Sequence, residues 1–504
     1  MAHQDGPPPG PDLGAGVPLA DIPAGGVLAG HVGGEPVLLA RLDDGLHAVG
    51  GACTHYGAPL AEGLVRGAEI RCPWHHACFS LRDGTALRAP AFAPLSRWQV
   101  EVLGDTAYVR RQVDASAPPP VHAARHPGRI LIVGGGAAGF AAAQRLRVLG
   151  YDGALTMLSA DPAPPCDRPN LSKDYLAGTA QADWIPLQGR EFYADNRIDL
   201  QLGCEVATLD AARREAMAVD GTRHPYDALL LATGAEPRRL RLPGFDRPNV
   251  HVLRSLADAD AIIAAAARAR TVAFVGAGFI GLEAAAALRA RGLEVHVVAP
   301  DEVPMERVLG RELGGFLTSL HRDQGVRFHL RANVRGYDGQ ALQLEDGGRV
   351  PADFVVVGIG VAPRTALAEA AGLRVDGGIV VDATLQASLP GHYAAGDVAR
   401  FPWRGELARV EHWVHAERQG QAAAANLLGA AQAFADVPFF WTHHYGVELR
   451  YTGLGNGWDE VRVDGDLPAR DFTARYFRGG TLVAAASVGR DRDNLAIEAE
   501  LQAA

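Results

Sequence analysis

Three kinds of hydrophobic patterning follow one another along the chain. From residue 12 to residue 112 the apolar positions come in short alternating runs broken by glycine, such as "GEPVLLARL", "GLHAVGGACTH", "AEIRCPWH" and "RWQVEVLGDTAYVRR". A period of two over such short segments predicts a small all-β domain. The stretch "VDASAPPPVHAARHPG" at 113–128 has no periodicity and reads as a linker. From Arg129 the pattern becomes a continuous apolar strand, a glycine turn and a helix of small residues, "RILIVGGGAAGFAAAQRLRVLG". It recurs as "TVAFVGAGFIGLEAAAALRARGLEVHVVAP" at 271–300. Two strand–glycine–helix units predict two Rossmann-like α/β nucleotide-binding domains. "YAAGD" at 393–397 and the helical stretch "EHWVHAERQGQAAAANLLG" follow, and the chain becomes strand-rich again from about residue 437.

At 504 residues the chain exceeds what one core supports, so two to four domains are expected. A formal charge of −10 argues against a nucleic-acid binder, which carries a basic stripe. The start, "MAHQDGPPPGPDLG", has neither an apolar core nor an Arg-rich amphipathic pattern, so no targeting segment is read there. Apolar runs such as 271–282 stop at Glu283, short of the ~20 residues of a membrane span. A cytoplasmic protein is the expectation.

Of five cysteines, Cys53, Cys72 and Cys78 fall within 26 residues. That grouping suits metal chemistry in a reducing compartment better than a disulfide framework. Cys53 and His55 lie in one loop, and Cys72 and His75 in the next, with sixteen residues between His55 and Cys72. Zinc, an iron–sulfur cluster and chance are the three readings. Zinc sites usually pair like ligands within a loop, whereas one Cys and one His per hairpin tip suits a [2Fe–2S] cluster with two Cys on one iron and two His on the other. The arrangement resembles the Rieske motif, and that resemblance implies Cys53 and Cys72 on one iron, His55 and His75 on the other. His76 is the competing imidazole, and spacing favours His75. The disulfide clamp of high-potential Rieske centres is missing, since its positions hold Ala58 and Trp74. A ferredoxin- or dioxygenase-type centre, toward the lower part of the roughly −150 to +300 mV range, is expected. Cys78 reads as a buried thiol.

In the first glycine turn, Gly134 makes the tight bend, Gly136 admits a pyrophosphate and Gly139, beside Ala138, permits close helix packing. Gly276, Gly278 and Gly281 repeat the pattern. "LLLATGAEP" (229–237), "HVLRSLADAD" (251–260), "HYAAGDVARF" (392–401) and "CDRPNLSKDYL" (166–176) resemble the FAD/NAD-linked reductases that serve ferredoxins. "PMERVLG" (304–310), "VEHWVHA" (410–416) and "PFFWTHHYGVELRYTG" (438–453) are similar to apoptosis-inducing-factor-like proteins with an N-terminal Rieske domain.

This resemblance implies a Rieske domain over 12–112 and an FAD-binding domain over 129–241 and 365–432. It implies an NAD-binding domain over 242–364 and an α+β reductase domain of dimerisation type over 433–504. The implied FAD contacts are Arg168, Lys173, Arg254 and Asp397, with Val206 and Trp413 beside them. Lys173 and Glu283 are implied as the pair flanking the reacting flavin edge. The acid for the adenosine ribose is Asp161, with Ala160 at the neighbouring register. In the second fold Ala299 replaces the usual Glu, and Asp301 or Glu302 is left to take that role. No Arg is placed for a 2′-phosphate, so NADH is favoured over NADPH.

The implied activity is transfer of electrons from NADH through FAD to the [2Fe–2S] cluster and on to a one-electron acceptor of ferredoxin or oxygenase type. A ring near Trp441 or Trp413 then has to face the cluster histidines. Homodimerisation is a further implication of the resemblance. Two rivals stand beside this reading. One is a thiol or peroxide reductase using Cys166, although no Cys-x₄-Cys pair is present. The other is an NADH-responsive redox sensor of apoptosis-inducing-factor type. Adjacent His443 and His444 point to opposite faces if they lie on a strand, so a shared metal ion is not expected there.

Overall fold

The computed structural model of the chain describes residues 10–113 and 126–503. Most of the expected linker lies outside the described residues.

In the first domain a six-stranded antiparallel sheet runs in the order Val17–Pro18, Thr106–Val113, Arg97–Leu103, Gly45–Gly50, Glu35–Leu42 and Gly26–Val32. The strand Glu35–Leu42 shows why alternation is incomplete in its middle: both its faces are buried. Val37 and Leu39 join Leu13, Val17 and Val109 in one core, while Leu38 and Ala40 join Phe79, Cys53 and Cys72 in another. The second core lies under a smaller sheet of Leu64–Arg66, Glu69–Arg71, Cys78–Ser80 and Ala86–Arg88. Its tip between Arg71 and Cys78, and the loop after Gly50, carry the two Cys/His pairs.

Two five-stranded parallel sheets follow. The first orders its strands Ile198–Leu202, Ala154–Ser159, Arg129–Val133, Ala228–Leu231 and His392–Ala394. Its last strand comes from beyond the whole second sheet, so the chain leaves this domain and returns. The second sheet runs Val250–His251, Phe354–Val357, Thr271–Val275, Glu294–Val298 and Arg327–His329. Helices Ala137–Val148 and Trp413–Leu427 cross closely because the contact is made by small residues: a Cβ on Gly420 would lie 2.2 Å from the Ala138 carbonyl oxygen. The C-terminal segment forms an antiparallel sheet of Phe439–His444, Val447–Gly453, Thr481–Val488, Asp471–Arg478 and Glu460–Asp466, with helix Asp491–Ala503 beside it. Leu309, Leu313, Leu317 and Leu320, at helical spacing, bury against Leu449 and Phe472 of that sheet. Among the described residues, no helix is long and apolar enough to cross a membrane.

One buried ionic cluster fastens the first domain to the rest. Glu498 Oε1 accepts from Arg418 Nη1 at 2.8 Å, and its Oε2 lies 3.0 Å from His76 Nδ1 and 3.6 Å from Arg71 Nη1. Arg418 also donates to the carbonyl oxygens of His76 (2.9 Å) and Ala89 (3.3 Å). Burial alone would raise the Glu498 pKa, but Arg418 and His76 override it and hold the carboxyl well below its usual range. Removing the anion strands two guanidinium groups in the interior. Glu498→Ala is therefore expected to cost about 3–5 kcal/mol, read as a lower urea midpoint. An unchanged midpoint would show that the cluster does not hold the domains together.

Candidate redox site

The two metal-type loops meet with like ligands paired. His55 Nδ1 and His75 Nδ1 lie 3.2 Å apart, and the thiols of Cys53 and Cys72 are close enough for each to shift the other's acidity. Among the described residues no three His, Cys, Asp or Glu side chains close around a single point, as one mononuclear ion would require. A pair of thiols beside a pair of imidazoles fits a two-iron cluster with a different ligand type on each iron. The two imidazoles are already in the protonation state that ligates. Burial pushes His55 down to about 3 and His75 well below its ordinary value, so both imidazoles are neutral. The Cys72 thiol, against the opposing effect of burial and with help from the backbone N–H groups of His55 and Tyr56, eases Cys53 toward thiolate. The Cys53 thiol and burial push Cys72 well up, so one thiol of the pair is favoured as the thiolate. His76 points elsewhere: it is held by Glu498 and stacks on Phe439 at 3.9 Å. His75, and not His76, faces His55.

A cleft of about 1800 Å³ opens between the two parallel sheets. Its wall includes Gly134, Gly136, Ala138, Asp161, Arg168, Lys173, Val206, Arg254, Asp397 and Trp413, and across from them Gly278, Gly281 and Glu283. Gly139 and Gly276 lie behind the wall and shape the turns: a Cβ on Gly139 would sit 1.9 Å from the Gly134 carbonyl oxygen. Gly134 (φ 120°) and Gly276 (φ 103°) both need the left-handed region. The cradle fits a dinucleotide, and unpaired buried polar atoms mark where a ligand would complete it. Arg254 Nε and His412 Nδ1 are buried without protein partners, and both residues line the cleft. Arg254 Nη2 donates to Asp397 Oδ2 at 2.7 Å. Asp301 is not on the cleft wall: the chain turns away after Val298, and the Asp301 carbonyl accepts from Arg331 N. Glu302, its alternative, is paired with Arg311 and Arg331.

Lys173 and Glu283 come together at the cleft. Lys173 Nζ lies 2.9 Å from Glu283 Oε2, which also accepts from Ser172 Oγ at 2.5 Å, while Oε1 accepts from Thr442 Oγ1 at 2.6 Å. Trp441 joins the two halves of the site. It lines the cleft, lies beneath Lys173 Nζ (5.7 Å to the ring) and meets the His75 ring at 4.1 Å. Tyr56 stacks on His55 at 3.9 Å and donates to Asp167 on the cleft side. Cys166 is buried with Leu171, Ile185 and Ala259, and burial pushes its thiol up to about 11, which describes an inert thiol and not a nucleophile.

Several residues here had no signal when taken singly. Thr442 and His444 share a face of one strand, which alternation in "WTHHYG" could have revealed. Glu498, Arg418 and Asp167 become informative only once distant segments meet.

The pyridine nucleotide-disulphide oxidoreductase family model matches residues 128–420, the Rieske [2Fe-2S] domain model residues 17–99, and the reductase C-terminal model residues 439–503. Apoptosis-inducing factor 3 of Homo sapiens is 35% identical over 494 residues, covering 94% of this chain and 81% of that protein. Rhodocoxin reductase of Rhodococcus erythropolis is 38% identical over 374 residues, covering 73% and 88%. A crystal structure of the covalent putidaredoxin reductase–putidaredoxin complex aligns with a TM-score of 0.72 and 33% identity, over 75% of this chain and 93% of that one.

Glu417, in the helix behind the cleft, has its Oε2 buried without a partner. Burial first, then the nearby Asp167 carboxyl, raises its pKa well above 4.5. A raised acid favours folding below its unfolded pKa and loses that contribution as pH climbs toward the folded value. Glu417→Gln is expected to raise the melting temperature at pH 8 more than at pH 5. An equal shift at both would show that Glu417 is already ionised at pH 5.

Proposed function

The chain belongs to the pyridine nucleotide-disulphide oxidoreductase family and carries a Rieske domain ahead of it, and from that premise we propose that it moves electrons from NADH through FAD to its own [2Fe–2S] cluster and on to a one-electron acceptor. It is an FAD-dependent oxidoreductase of the ferredoxin-reductase type. The observation that carries the single-chain path is Trp441, which belongs to the cleft wall and to the His75 contact at once.

The bound groups supply hydride acceptance and one-electron transfer; the chain supplies the rest. Cys53, Cys72, His55 and His75 hold the cluster. The amide-rich turn at Gly134 and Gly136 and the Arg168 guanidinium, 3.6 Å from a Cβ placed on Gly136, receive the FAD pyrophosphate. Asp161 takes the adenosine ribose. Arg254 and Asp397 orient each other against the flavin portion, with Val206 and Trp413 filling apolar contacts. Gly276, Gly278 and Gly281 form the corresponding turn for NADH. Lys173 and Glu283 set the charge at the reacting edge. The lining offers Arg239, Arg307 and Arg364 among its basic residues, so NADH over NADPH rests on the absent arginine at the strand end after Val298. An external acceptor, ferredoxin or oxygenase, would take the electron from the Rieske domain, the work a separate ferredoxin does elsewhere.

Anaerobic NADH titration followed by low-temperature EPR tests the path. The expected outcome is a reduced Rieske signal that grows as flavin absorbance bleaches. Trp441→Ala is expected to slow that signal with NADH while dithionite still produces it fully. A signal given by dithionite and never by NADH in the parent protein would make the Rieske domain a docking or sensing module. For the ligands, Cys72→Ser and His75→Ala are expected to lose most bound iron and sulfide, and His76→Gln to retain both. Iron retained by His75→Ala and lost by His76→Gln would reverse the assignment.

A further inference from the structure

Oxidising NADH with one-electron acceptors yields NAD⁺, two electrons and one proton, so the site must pass a proton to solvent for each NADH consumed. We propose that Tyr445, His321, His444 and Thr442 form a hydrogen-bonded proton relay between the protein surface and the Glu283 carboxyl. The relay rests on the reading of the cleft as the site of NADH oxidation, and it adds residues from two further elements to that site.

The links are continuous. Glu283 Oε1 to Thr442 Oγ1 is 2.6 Å, and Thr442 Oγ1 to His444 Nε2 is 2.9 Å. His444 Nδ1 to His321 Nε2 is 3.2 Å, and His321 Nδ1 to the Tyr445 hydroxyl is 3.4 Å. Thr442, His444 and His321 are each at most 1% exposed, and Tyr445 is half-buried. Both ring nitrogens of His321 and of His444 are used, and the outermost residue, Tyr445, is partly exposed. Glu283 Oε2 is occupied by Lys173 and Ser172, which leaves Oε1 to the relay and ties its inner end to a lysine of the cleft wall.

The sense of each hydrogen bond follows from the inner end. An ionised Glu283 only accepts, so Thr442 donates to it and accepts from His444 Nε2–H. A neutral His444 then has a bare Nδ1, which accepts from His321 Nε2–H. The bare Nδ1 of His321 in turn accepts the Tyr445 hydroxyl proton. All four bonds point inward with one proton per link and no clash of donors or acceptors. Burial keeps both rings neutral, lowering His321 and His444 far beneath their ordinary values. If each proton hops one link and the Tyr445 hydroxyl takes a replacement proton from water, Glu283 becomes protonated and all four bonds reverse. The charge on Glu283 thus sets the polarity: ionised, its bonds point inward. Once it takes up the proton freed in the cleft and the bonds turn, each link passes one proton outward, the Tyr445 hydroxyl gives one to water and Glu283 returns to the carboxylate. No bond other than O–H and N–H forms or breaks, and the protons balance one for one.

Two features make a purely space-filling role a poor account. Two imidazoles and a hydroxyl sit where apolar side chains would fill the core beside Leu317 and Leu449 at lower desolvation cost. Tyr445 also holds a left-handed φ of 52° in the hairpin turn before Gly446, a position that disfavours a bulky residue, and this sets its ring 5.1 Å from His321.

The full-length protein carrying FAD and cluster, labelled with ¹⁵N-histidine, gives a readout independent of turnover. His321 and His444 are expected to be neutral with the proton on Nε2, assigned by loss of their signals in His321→Phe and His444→Phe. A proton on Nδ1 of either ring breaks the chain of donors and overturns the relay. In a second measurement, a pH-indicator dye follows proton release as NADH reduces ferricyanide. His444→Phe is expected to slow release about 100-fold, and Tyr445→Phe, which removes only the outer hydroxyl, to slow it less. Release at the parent rate in either variant overturns the proposal, and Tyr445→Phe decides it should His444→Phe not fold. A parent protein that oxidises no NADH would sink the functional reading, while the tautomers would still decide the relay.

Discussion

A carboxylate sealed from water, Glu498, sits where the Rieske-type loops, the helix Trp413–Leu427 and the C-terminal helix meet, and it constrains everything around it. An ion in such a place persists only if its counter-charges are fixed, so Arg418 and Arg71 are committed to one geometry. Arg418 then dictates the loop path, because it also grips the carbonyl of His76, the residue after His75. Arg450 adds a second grip on the same loop through the carbonyl of Trp74 at 2.9 Å. The orientation of His75 toward Trp441 is thus the outcome of buried charges on its far side, and the cleft and the metal loops share one rigid support.

Local periodicity made the α/β portions legible. A run such as "RILIV" before glycines can only be a buried parallel strand when a helix of small residues follows, and the strands, turns and glycine contacts are local matters. The two Cys/His loops were legible for the same reason, since their spacing is written within about 26 residues. Identity of ligand loops and cofactor cradles therefore came from short stretches.

What stayed hidden depends on long-range assembly. His444 was read as half of a histidine pair on a strand, with no hint that His321, on a helix over a hundred residues earlier, would meet it. Asp301 illustrates the opposite case. It lies three residues past the strand end at Val298, in the turn where its carbonyl accepts from Arg331 N, and it does not reach the cleft wall. Sequence spacing fixes direction within a strand but not in the turn that follows it. Spacing already favours His75 over His76, and the structure gives the reason in the left-handed φ of 60° at His76 and its bond to Glu498.

The seating of His75 on Trp441 has a kinetic meaning. A carrier that dissociates must find its reductase by diffusion, and its rate then follows concentration and the screening of surface charge by salt. On the proposed path the first acceptor would be covalently part of the donor and already docked, so its effective concentration would be fixed by geometry. Such an internal step would be unimolecular, indifferent to dilution and to ionic strength, and the sensitivity to both would move to the encounter with the next acceptor.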